Sequence, residues 1–196
     1  MKGEYFMQQG RIVTLSGISG IGKSFLKSYV LSHNDDFQSL ISVTTRSKRP
    51  GEIEGIDKFF YTLEEFKKEN HDGNLCVVNE VFSNWYAYKK SQIELCNNGM
   101  NLITELFYKN VREFKEQFDN ALSIYVLPMD IERTKNELKA RTLEHDDLSK
   151  RLKDIDDELS FFYNNTKLFD IVIVNDYTDA SCLLLQKLLL QKIRRT

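Results

Sequence analysis

The sequence predicts an α/β fold built on a parallel sheet with helices on both faces, and three observations carry that reading. "SIYVL" and "DIVIVN" are continuous β-branched and aromatic runs, as expected of parallel strands covered on both sides. Helical patterns alternate with such runs, and that alternation folds into right-handed strand–helix–strand units. The first unit reads "RIVTLS", then "GISGIGKS", then "FLKSYVLSH", switching from strand to helix periodicity across a glycine-rich turn.

Taken in order, the further strand candidates are "SLISVTT", "KFFYT", "LCVVNEV", "NLITEL", "ALSIYVLP" and "DIVIVND". In "TLEEF", Thr62 stands three residues before Glu65, a capping box that predicts a short helix running through Glu69. "MDIERTKNELKAR" and "DLSKRLKDIDDELSFFYNN" carry apolar residues at helical spacing, and "DASCLLLQKLLLQKI" opens on a good cap, Asp179. That last helix is short and contains lysines, so it reads as core packing and not as a membrane element. Residues 42–88 differ from the rest, with short aromatic-rich β candidates and few long helices, and read as a small mixed lobe inserted into the α/β core.

A chain of 196 residues suits one domain, here 1–196, and its 41% hydrophobic and 29% charged residues are ordinary soluble usage. A formal charge of −2 excludes the strong basic excess of an extended nucleic-acid binder. No segment approaches the apolar length of a membrane span, and the N-terminus has no apolar core of signal-peptide length, so the expected location is cytoplasmic. Cys76, Cys96 and Cys182 lack metal-ligand spacing and are expected to be reduced thiols.

"GISGIGKS" is a phosphate-binding loop in its required context, between a strand and a helix. Gly17, Gly20 and Gly22 allow the turn that points main-chain N–H groups inward, those of Ile18, Ser19 and Ile21 included, while the helix N-terminus adds positive partial charge. Lys23 is placed to reach the β and γ phosphates and Ser24 to ligate magnesium, so ATP or GTP with Mg2+ is the implied ligand. A second cluster, "TTRSKRPGEIEGIDKFF", brings Arg46 and Arg49 onto one loop, and the planar fork of arginine suits bidentate contact with a second phosphorylated molecule.

With "GISGIGKS", "SVTTRSKRPGEIEGIDKFF", "YTLEEF", "RLKDIDDEL" and "FDIVIVND" in this order and spacing, the chain from Arg11 onward resembles the guanylate kinase family. The resemblance implies a P-loop core (11–41, 89–136 and 152–196), a nucleoside-monophosphate-binding lobe (42–88) and a helical lid (137–151). It implies transfer of the γ-phosphoryl group of ATP to GMP or dGMP, in purine nucleotide metabolism, with no general base beyond the acceptor phosphate's own oxygen. Arg46 and Arg49 match the acceptor-phosphate arginines, Arg141 and Arg151 the lid arginines, Asn175 a residue near the donor adenine, and Ser42 and Tyr86 acceptor-binding residues. Glu80 and Glu105 are the carboxylates available to read the base.

Departures from the family pattern lie in the lobe. Lys58 replaces a tyrosine that bonds the acceptor phosphate and keeps the ability to contact a phosphate as a point charge. Ala87 and Tyr88 replace a glycine and a small hydroxyl residue, and Glu105 stands where aspartates are usual. Two other readings therefore stand beside GMP phosphorylation: a kinase of the same fold acting on another nucleoside monophosphate or a phosphorylated sugar, and a non-catalytic binding module.

Overall fold

The computed structural model describes residues 9–81, 83–141 and 145–193, the side chains of 137–138, 141 and 145–151 excepted. Its elements in chain order are β1 (Ile12–Ser16), α1 (Lys23–His33), β2 (Phe37–Ser39), β3 (Ser42–Thr44), β4 (Phe59–Phe60), α2 (Leu63–His71), β5 (Leu75–Val81) and β6 (Asn84–Lys89). There follow α3 (Lys90–Asn97), β7 (Asn101–Glu105), α4 (Val111–Gln117), β8 (Ala121–Pro128), α5 (Ile131–Arg141), α6 (His145–Asn164), β9 (Ile171–Asn175) and α7 (Asp179–Ile193).

Five strands form a sheet in the order β2-β7-β1-β8-β9, and every pairing in it is parallel. Alternation along the strands divides the core. Val13, Leu15, Ile103, Ile124 and Val126 point to one face and pack on Leu26 and Val30 of α1 and Leu185 and Leu189 of α7. Ile12, Leu102 and Tyr125 point to the other, against Val111 and Phe114 of α4 and Phe162 of α6. Burial on both faces explains the continuous apolar runs of β1 and β8. The run "DIVIVN" is different: β9 is an edge strand whose Val172 and Val174 are exposed.

A second sheet, in the order β4-β3-β6-β5, is mixed, with β3–β4 parallel and β3–β6 and β5–β6 antiparallel. Its own small core is Val43, Phe66, Leu75 and Ala87. "SLISVTT" is not one strand but two, since β2 belongs to the first sheet and β3 to the second. The break is held by Gln92 of α3, whose side chain receives the Ile41 N–H at 3.0 Å and donates to the Ile41 carbonyl at 2.8 Å. That amide satisfies a backbone residue lying between two ladders. The strand β6 carries no turn-bounded signal in the sequence and exists because β3 and β5 flank it.

The Thr62–Glu65 capping box forms, and α2 runs two residues past the expected end at Glu69. All three cysteines are free thiols, and no helix among the described residues is long and apolar enough to cross a membrane.

Candidate functional site

The site lies at the C-terminal ends of β1 and β7, where ligands of open α/β sheets collect. Between β1 and α1 the chain turns through Gly17, Gly20 and Gly22, all at positive φ. At Gly17 a Cβ would stand 2.5 Å from the carbonyl oxygen of Val126, so both the backbone angle and the close approach to β8 require glycine. Ile18 and Ile21 are wholly buried and anchor the loop in the core, which leaves only their main-chain groups for the loop's concave side. The Lys23 ammonium donates to the carbonyls of Gly17 and, at 3.0 Å, Ile18. Ser24 is exposed in the first turn of α1.

Helix α6 presses one carboxyl group on this loop and holds a second one turn away. Glu158 is buried, accepts the Gly17 N–H and lies near Lys23. Burial pushes its carboxyl up to about 7, with neighbouring Asp154 adding to the rise and Lys23 and the Gly17 N–H opposing it. Asp154, one turn earlier, is also raised by burial and receives the Tyr108 hydroxyl at 3.5 Å. Neither residue is among the sequence-derived candidates. The available signal was position: Glu158 sits three residues after buried Ile155 and four before buried Phe162, on the apolar stripe of its helix.

In the lobe, Arg46 and Glu52 form a two-pronged ion pair, Nη2 to Oε1 at 2.7 Å and Nη1 to Oε2 at 3.0 Å. The Arg49 N–H donates to the same carboxylate at 2.7 Å. Burial opposes the charge on Glu52, but these bonds outweigh it and hold the carboxyl below its ordinary range. The acidic run after the cation cluster is thus part of the clamp.

Beside this clamp a cavity is lined by Ser42, Lys58, Tyr86 and Tyr88 on one side and Glu105 and Phe107 on the other. Lys58 Nζ donates to Ser42 Oγ at 2.8 Å. Burial lowers the Lys58 pKa, and the Glu105 charge acts against that fall. Glu105 lies 3.9 Å from Lys27, one turn along α1 from Lys23, so the cavity adjoins the glycine loop. The Tyr88 hydroxyl is turned away to β7, 3.2 Å from both Thr104 Oγ1 and the Glu105 carbonyl oxygen.

A family model described as guanylate kinase matches residues 9–192. The chain belongs to the guanylate kinase family. It is 32% identical over 171 residues to the guanylate kinase of Oceanobacillus iheyensis, covering 86% of this chain and 81% of that protein. It is 36% identical over 172 residues to that of Mycoplasmoides gallisepticum, covering 86% of each. A crystal structure of guanylate kinase from Anaplasma phagocytophilum has a TM-score of 0.76 at 25% identity, covering 95% of this chain and 87% of that one. The family makes the protein a phosphotransferase of the nucleoside monophosphate kinase class.

Seen as a guanylate kinase family site, the arrangement brings Ser42, Lys58, Tyr86 and Glu105 to one cavity and Arg46 and Arg49 to the adjoining loop. Glu80 is exposed on β5 and is not among the residues lining this cavity, whereas Val77, Asn79 and Val81 are. A β-bulge between Cys76 and Asn79, with Val77 at φ 50°, sets which residues of β5 face inward. Asn175 also has neighbours other than an open nucleotide site. It is fully buried, donates to the Ile21 carbonyl at 2.7 Å and receives the Tyr177 N–H at 3.0 Å, bracing the glycine loop from β9. Arg141 closes α5 and Arg151 belongs to α6, and their side chains lie outside the described residues.

Proposed function

We propose that the protein is an ATP-dependent guanylate kinase of the cytoplasm that phosphorylates GMP and dGMP in purine nucleotide metabolism. The observation that carries this reading is the 3.9 Å approach of Lys27 to Glu105, which joins the helix of the phosphate loop to the wall of the second cavity. Donor phosphates on the loop and an acceptor in the cavity would then meet at the C-terminal end of β1.

Phosphoryl transfer needs little covalent help from a protein and is driven by positioning and charge stabilisation. In this reading the amides from Gly17 to Ser24 cradle the ATP phosphates, and Lys23 leaves its loop carbonyls for the β and γ oxygens. Arg46 and Arg49 hold the acceptor phosphate, whose own oxygen is the nucleophile. Arg141 and Arg151 add charge over the transferring group from the lid. Closure excludes water, which would otherwise accept the phosphoryl group.

No group of three or more His, Cys, Asp or Glu suited to a metal occurs among the described residues. In this reading Ser24, exposed in the first turn of α1, would be the protein ligand of a magnesium ion otherwise held by phosphates and water. When bound with ATP, Mg2+ supplies neutralisation of the β and γ charges.

The cavity wall favours one further reading, an acceptor other than GMP. Val77, Val81 and Phe107 are apolar, and Glu105 is the single carboxylate among the lining residues. ADP release from ATP and Mg2+, measured across a panel of nucleoside monophosphates and sugar phosphates, tests both. Turnover with GMP and dGMP is expected. Turnover with another acceptor alone would replace the reading, and no turnover with any would favour a binding module.

A further inference from the structure

Resting on that reading, we propose that Lys58 is a specificity-determining residue: it reads the carbonyl edge of the acceptor's base together with Ser42 instead of holding the acceptor's phosphate. The geometry separates these two tasks. The Arg46 guanidinium and the Arg49 backbone N–H already gather on Glu52 at the loop, where the two arginines are taken to clamp the phosphate. Lys58 points to Ser42 Oγ at 2.8 Å and lines the cavity with it. An ammonium has three donors, and one bond to Ser42 leaves two for a ligand.

Of the cavity's other polar side chains, Tyr88 and Asn79 are engaged elsewhere, and Tyr86 and Asn110 also line it. Tyr88 directs its hydroxyl to Thr104 and the Glu105 carbonyl, and Asn79 donates to the Val77 carbonyl at 3.0 Å. Glu105 lines the cavity with its carboxyl group. A cation with a hydroxyl on one side and a carboxylate on the other complement a base that presents a carbonyl beside N–H donors, the lactam edge of a 6-oxopurine. Partial burial adds selectivity, because a half-buried donor left without its acceptor costs part of its desolvation as well as the bond.

The test compares GMP with its 6-thio analogue, in which a poor acceptor replaces the carbonyl oxygen and the phosphate is unchanged. Wild type and the Lys58→Met and Lys58→Arg variants are assayed for kcat/KM on each, with ribose 5-phosphate as a competitive inhibitor that carries a phosphate and no base. Lys58→Met is expected to lower kcat/KM for GMP at least tenfold and to shrink the preference for GMP over the thio analogue by a similar factor. Lys58→Arg is expected to recover part of that preference, and inhibition by ribose 5-phosphate to stay within about twofold. Equal losses on both nucleotides together with weaker ribose 5-phosphate inhibition would assign Lys58 to the phosphate and overturn the inference alone. Absence of wild-type turnover on either nucleotide would overturn the functional reading, and this inference with it.

Discussion

Glu52 grips Arg46 by both terminal nitrogens, at 2.7 and 3.0 Å, six residues along the same loop. The pair fixes the plane of the guanidinium before any phosphate arrives, and a further N–H of the same group goes to the Ser47 carbonyl at 2.6 Å. Lysine carries the charge without the fork, so Arg46→Lys is expected to raise the acceptor KM and lower kcat/KM about 100-fold, on the scale of about 1.5–3 kcal/mol for charge-assisted bonds. The KM for ATP should change little. Steady-state kinetics with each substrate varied in turn check this, and an equal effect on both KM values would show that the loop does not serve the acceptor selectively.

Lys23 is the only side-chain cation of the glycine loop itself, and its ammonium now donates to two main-chain carbonyls. Exchanging these for phosphate oxygens is a local rotation of the side chain. Lys23→Ala should leave the melting temperature near that of wild type and reduce kcat by about 100- to 1000-fold, the usual cost of removing one preorganised charge. Thermal melts beside ADP-release rates decide it: activity that persists in the variant would remove Lys23 from the chemistry.

Glu158 makes stability depend on pH in an unusual direction for a carboxylate. Its folded pKa, about 7, lies above the ordinary 4.5, with burial the main cause. The native state therefore holds the proton more tightly than the unfolded chain. Its contribution is complete below about pH 4.5 and is lost as pH rises toward 7, on the order of 3 kcal/mol in all. Glu158→Gln keeps an acceptor for the Gly17 N–H without the charge. Urea unfolding at pH 5 and pH 8 should show the variant gaining on wild type at the higher pH. A stability difference independent of pH would mean that Glu158 is ionised throughout.

Tyr88 occupies volume that a small residue would leave open. It is 4% exposed, meets Phe114 edge-on with ring centroids 5.9 Å apart, and bonds β7 through its hydroxyl. Tyr88→Thr should cost about 3 kcal/mol through the resulting cavity and the lost ring contact. The measurement is the denaturant midpoint. A loss below about 1 kcal/mol would mean that the lobe collapses around the smaller side chain.

Much of this was legible along the chain. The glycine loop, the capping box at Thr62 and the cation pair Arg46 and Arg49 are local patterns, each defined by residues within one turn or one helix end. Local chemistry dictates them, and they appear where the pattern places them. That Glu80 falls outside the cavity lining was not legible, because strand facing depends on register. The bulge after Cys76 resets that register, and a single-residue shift exchanges the two faces of a strand. Glu52 stood in view as part of an acidic run, but its partnership with Arg46 depends on how the loop closes.

The sequence by itself determined the α/β class, the phosphate loop and the family, because hydrophobic periodicity and short glycine motifs act through near neighbours in the chain. Only the tertiary structure decided which polar groups meet across long separations. Glu158 reaches Gly17, Glu105 reaches Lys27, and Asn175 braces Ile21 because parallel packing carries distant segments to the C-terminal end of one sheet. The destination of the Tyr88 hydroxyl and the turn of Lys58 toward Ser42 belong to the same class. Such contacts follow from packing, where burial makes most polar groups find a partner, and no local pattern encodes which partner that is.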